Sequence, residues 1–209
     1  SPHVPPCQTF YTPNRHSISN GANTIRFNFE GDEIPLYVYL NTTGAGSTHV
    51  LWIENVGIGL TEDVMSNQGD MYTLNNVLSM PNYAMISKQC KGITLWAPYG
   101  SKGFCNAYFY AAVYQWLLCE GISISHTFLV TNSIGTAYAI SNVPSDVGIP
   151  GVANFVDTLY KECNLKGILF SSGNGYFDAN KPEIAHSADI PVCLLWAEHD
   201  PSLNVEDHY

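Results

Sequence analysis

A chain of 209 residues is long enough to bury the core of one domain, and its 45% hydrophobic and 12% aromatic content is that of a packed globule. Eighteen acidic residues against eight basic ones give a formal net charge of −10, which repels polyanions and excludes nucleic acid and anionic membrane surfaces as partners. No apolar run reaches the ~18 residues that crossing a bilayer requires.

Residues 1–22 read as an N-terminal extension and residues 23–209 as one domain. Asn23 to Glu30 alternates, with Ile25, Phe27 and Phe29 on one face, the pattern of a half-buried strand. Gly31-Asp32 turns it into a second strand, Leu36 to Leu40. Val50 to Ile53 is a short continuous apolar run, as is typical of strands covered on both faces in a parallel sheet. A helix is expected around Asp70 to Leu78, then a strand from Ile93 to Trp96. Asn106 to Glu120, rich in Ala, Tyr and Leu and stopped by Gly121, is the clearest helix. There follow a strand Thr127 to Val130, a helix from Ser133, a helix Val152 to Glu162, and strands Gly167 to Phe170 and Val192 to Trp196. Alternating strands and helices with short connections predict an α/β fold: a single domain with a mostly parallel central sheet, antiparallel only near residues 23–40.

Ligands of such a sheet bind beyond the carboxyl ends of its strands. The strand ending at Val130 runs into Thr131-Asn132-Ser133-Ile134-Gly135. A strand, a serine on a sharp turn and a helix make a nucleophile elbow, with Gly135 small enough to let the turn close. The competing reading is a serine that merely caps the following helix.

Four stretches, in this order, resemble the α/β-hydrolase superfamily. Thr48 to Gly59 is similar to its third strand and oxyanion loop, and Gly92 to Phe104 to the next strand and glycine-rich loop. Asn106 to Ala139 resembles its helix, strand and elbow, and Ile190 to Pro201 the strand that ends in the catalytic acid. The resemblance implies Ser133 as nucleophile and Asp200 as acid, with the amides of Val56 and Ile134 as oxyanion donors. It also implies a base, supplied by His208, the one histidine after Asp200, or by a chain segment beyond residue 209. A cap domain is not expected between Phe170 and Ile190, so the site is open, with Gly173 to Phe177 in its wall.

The chain departs from the family at three places. Glu54-Asn55 stands where the family has His-Gly, Thr131 replaces the elbow's first glycine, and only nine residues follow Asp200. His199 faces the wrong side of its strand, and His126 and His186 lie near strand starts. The expectation is therefore a serine-hydrolase-like protein acting on neutral or apolar esters, with no histidine near Ser133 and weak or absent turnover. The alternative is an inactive relative serving as an extracellular binding or structural protein. A small ester or apolar ligand and a protein are the partners to expect. No cofactor or metal is expected: GxGxxG, P-loop, CxxC and CxxH patterns are all missing.

Six cysteines, the sequon Asn41-Thr42-Thr43 and an opening Ser1-Pro2-His3 without Met predict a processed, secreted glycoprotein. Strand polarity ranks the bridges. Cys90 and Cys119 share the sheet's amino end and pair first. Cys163 with Cys193 follows, again at the amino end, and Cys105, at the carboxyl end, is left for Cys7.

Overall fold

The structure, a computed structural model, describes residues 18–55, 57, 61–62, 90–140, 155–171 and 190–195. Seven strands form one mixed sheet: β1 (Gly21–Phe29), β2 (Asp32–Asn41), β3 (Ala45–Asn55), β4 (Cys90–Trp96), β5 (Ile124–Asn132), β6 (Leu165–Ser171) and β7 (Val192–Leu195). Their order is β1-β2-β4-β3-β5-β6-β7. The β1–β2 and β2–β4 ladders are antiparallel, and the ladders joining β4, β3, β5, β6 and β7 are parallel. The expected antiparallel region is thus where the sequence placed it, and the continuous apolar runs are the parallel interior.

The β1–β2 hairpin closes in two residues, Glu30 (φ 53) and Gly31 (φ 84). Two positive φ values in succession match the right-handed twist of the strands they join. Ile25 and Phe27 are buried on one face of β1, as their alternation predicts.

Three helices are described: α1 (Ala107–Cys119), α2 (Ile134–Ile140) and α3 (Phe155–Cys163). The Asn106 side chain caps α1, accepting from Tyr108 N at 3.1 Å and Phe109 N at 3.2 Å. At the other end Gly121 has φ 83, donating to Leu118 O while Ile122 N donates to Leu117 O, which uses two carbonyls the helix leaves over. Phe109, Val113 and Leu117, at successive turns of α1, are fully buried with Leu51, Ile53, Ile93, Leu95 and Leu129 of the sheet. The helix expected at 70–78 and the wall at 173–177 lie outside the described residues.

Two expected disulfides are corrected. Cys163 and Cys193 are both free thiols. Cys193 sits opposite Leu169, four residues beyond the start of β6 at Leu165. That is ~13 Å up the ladder at ~3.3 Å per residue, beyond the reach of a bridge from Cys163. Cys105 is free and fully buried, its Sγ accepting from Asn55 Nδ2 at 2.9 Å. Asn41, the sequon asparagine, ends β2 at 8% exposure. Its Oδ1 accepts from Thr43 N at 3.0 Å and Thr43 Oγ1 at 2.8 Å, closing a turn within the sequon. Cys119 is disulfide-bonded, while Cys7 and the side chain of Cys90 lie outside the described residues.

Burial pushes the thiols of Cys105 and Cys163 well above the ordinary range, whereas Cys193 is exposed. Alkylation of the folded protein at neutral pH is therefore expected to modify Cys193 and spare Cys105 and Cys163 until denaturant is added. Non-reducing peptide mapping is expected to link Cys119 to Cys90. Native labelling of Cys105, or Cys119 recovered on another partner, contradicts these placements.

Candidate active site

β5 ends at Asn132, α2 begins at Ile134, and Ser133 alone joins them with φ 53. A left-handed backbone costs a residue with a side chain about 1–2 kcal/mol. The capping alternative requires an extended backbone. Asn106 shows that geometry with φ −103 and ψ 99, and Ser133 does not share it. Ser133 is thus the turn itself, at the carboxyl end of its strand. Replacing it with glycine, which adopts this φ freely, is expected to leave stability within about 1 kcal/mol of wild type or raise it. Denaturant titration checks this, and a loss of 2 kcal/mol contradicts the strain.

The elbow is tied at several points. Thr136 N donates to Ser133 O at 3.0 Å, closing the first turn of α2. Thr131, which stands in for a glycine, is fully buried, and its hydroxyl lies 2.7 Å from that of Thr136. The extra side chain is accommodated because its one polar atom is bonded. Asn55 Nδ2 donates to Gly135 O at 2.7 Å.

The loop after β3 comes up to the elbow. A Cβ placed on Gly57 would stand 3.5 Å from Ser133 Cβ and 3.7 Å from Asn132 Nδ2, so glycine brings this backbone to the serine. Glu54 is 1% exposed, and its carbonyl accepts from Tyr110 OH at 3.4 Å. Burial first, then the nearby Cys105 and Glu54, raise the Tyr110 hydroxyl pKa, so it stays a donor. Strand alternation sets the Glu54 side chain on the opposite face of β3 from Asn55.

Of the expected site residues, Ser133 and Ile134 stand together with the loop at Gly57 beside them. Ile134, half-buried, packs against Tyr37, Trp96, Phe104 and Cys105. Val56, His186, His199, Asp200 and His208 lie outside the described residues. The described histidines stand level with the start of β5, His126 within that strand and His49 of β3 opposite Ile124. Seven residues separate His126 from Ser133, ~23 Å along a strand, so neither histidine serves the elbow. Sequence reasoning missed Asn55 as a tie between β3 and α2. The available signal was a lone amide ending an apolar strand.

No protein-family model matches the chain, and no curated protein matches it in sequence. Solved structures do match. The chain is similar to native pOPH, with a TM-score of 0.50 at 13% identity over 91% of this chain and 70% of that one. The esterase domain of a Rhodothermus marinus protein gives a TM-score of 0.50 at 11% identity over 90% and 80%. Esterase 2 of Thermogutta terrifontis, phosphonylated by sarin, gives 0.50 at 9% identity over 89% and 76%. At such identities the likeness shows the fold alone: an esterase-like hydrolase fold.

Proposed function

We propose that this chain is a secreted serine hydrolase of the α/β-hydrolase superfamily, cleaving neutral or apolar esters by acyl transfer through Ser133. The observation that carries this reading is Ser133 at φ 53, alone between β5 and α2, with Gly57 against it. A strained serine at the carboxyl end of an interior strand is the arrangement that a covalent nucleophile requires.

In this reading Ser133 Oγ attacks the ester carbonyl carbon and gives its proton to a base. The amide of Ile134 and that of Val56 stabilise the oxyanion. Collapse expels the alcohol, protonated by the base, and water then releases the acid from Ser133. The base in this proposal is His208 or a residue beyond position 209, with Asp200 orienting it. A net charge of −10 disfavours anionic esters. The extracellular assignment draws on six cysteines, of which Cys119 is disulfide-bonded.

The second reading is the inactive relative, an extracellular binding or structural protein. The buried Glu54 at the root of the oxyanion loop favours it, since the family has histidine there. Hydrolysis of p-nitrophenyl butyrate separates the two. Slow turnover that disappears in Ser133→Ala supports the hydrolase. Turnover indifferent to that change overturns Ser133 as nucleophile, and no turnover together with no fluorophosphonate adduct supports the inactive relative.

A further inference from the structure

On the reading of Ser133 as nucleophile, we infer that Asn55 is a positioning residue of this site, holding the root of the oxyanion loop to the first turn of α2. Asn55 is the last residue of β3 and 1% exposed. Its Nδ2 donates to Gly135 O at 2.7 Å and to Cys105 Sγ at 2.9 Å. Gly135 lies two residues past Ser133, so this bond joins the strand end that leads into the loop with the turn that carries the serine.

The β3–β5 ladder aligns the two only as far as Asn55 opposite Thr131. Beyond that pair the backbone at Gly57 lies close to Ser133, where a Cβ on the glycine would stand 3.5 Å from Ser133 Cβ. Oxyanion donors from two separate segments act together only if both aim at one oxygen atom, which demands that the segments not slide. The Thr131–Thr136 tie fastens α2 to its own strand. The Asn55 bond fastens the same turn to the end of β3. Cys105 is a fixed second acceptor, fully buried with φ 52.

The chemistry of the amide sets its orientation. The reversed rotamer would face Oδ1 towards the Gly135 carbonyl oxygen, two acceptors in contact. In the bonded orientation Oδ1 is buried without a hydrogen-bond partner among the described residues. A leucine of similar volume buries no unpartnered Oδ1, but it takes the side-chain donor from the Gly135 carbonyl and from Cys105 Sγ, so it lowers stability whether or not Asn55 positions the site. Kinetics per folded molecule separate positioning from packing.

The test is Asn55→Leu, read by kcat and KM on p-nitrophenyl butyrate, by Tm, and by amide exchange of 131–140 with 107–119 as internal reference. The expected result is a Tm at or somewhat below wild type, kcat per folded molecule lower by about 10²-fold and KM within about twofold. Segment 131–140 exchanges about tenfold faster while 107–119 is unchanged. Unaltered kcat, or a fallen Tm with kcat per folded molecule unaltered, overturns the inference. Wild-type protein with neither turnover nor a fluorophosphonate adduct defeats the serine-hydrolase reading instead. Exchange of 131–140 then decides the clamp by itself, acceleration supporting it and constancy overturning it. Should Asn55→Leu fail to fold, the wild-type side-chain amide decides. Its Nδ2 protons are expected to exchange at least about tenfold slower than those of the exposed Asn20, and equal rates overturn the inference.

Discussion

Ser133→Ala is expected to abolish both ester turnover and covalent capture by a fluorophosphonate, with no loss of fold. The reagent forms its bond to an activated serine oxygen, so the adduct reports the nucleophile without requiring rapid release of product. Loss of a serine nucleophile lowers kcat by about 10³-fold or more in enzymes of this chemistry, because the residual rate comes from binding and oxyanion stabilisation alone. The same substitution removes one oxygen from a half-buried side chain and leaves the bonds among Thr131, Thr136, Asn55 and Gly135 in place. Thermal stability therefore stays within about 1 kcal/mol of wild type. Intact mass after labelling, beside initial rates on p-nitrophenyl butyrate, checks both halves. A full-sized adduct on Ser133→Ala assigns the chemistry to another residue.

The largest effect on stability is expected from Phe109→Ala in α1. Phe109 is fully buried and meets Phe27 edge to face at 5.7 Å between centroids and Phe29 at 5.8 Å. Its ring also fills the space over Gly103, where an added Cβ would come within 2.7 Å of Phe109 Cε1. One side chain thus joins α1, the β1–β2 hairpin and the loop leading into the helix. Truncation leaves a cavity bounded by backbone and aromatic rings that cannot all collapse. The cost is about 4 kcal/mol, which for a chain of this size lowers Tm by about 8–16 °C. Gly103→Ala fails for the opposite reason, overpacking, at about 1–3 kcal/mol. Thermal melts followed by circular dichroism measure both, and a Phe109→Ala loss below about 1.5 kcal/mol contradicts the packing described.

Local chemistry made much of this fold readable in the residues themselves. The runs around Leu51, Ile93 and Leu129 are apolar on both strand faces, and the sheet buries each of those residues completely. Asn106 and Gly121 punctuate α1 because a capping side chain and a positive φ act within a few residues of the chain. A serine between a strand and a helix likewise marked the elbow, but its five residues fit a helix cap equally well. Only the backbone at φ 53 separates the two, and that angle follows from how β5 and α2 pack rather than from the pentapeptide. The Cys163–Cys193 pairing failed because level in the sheet was read without the register. Register is a property of the β6–β7 ladder, and Cys193 stands opposite Leu169 instead of beside the end of α3. Asn55 carried only one local signal, a lone amide ending an apolar strand, which named neither of its partners, 50 and 80 residues away. Sequence alone determined the elements and their buried faces, because periodicity and capping are short-range. The tertiary structure decided which side chains meet at Ser133, because hydrogen bonds across strand ends exist only once the sheet has set its order and register.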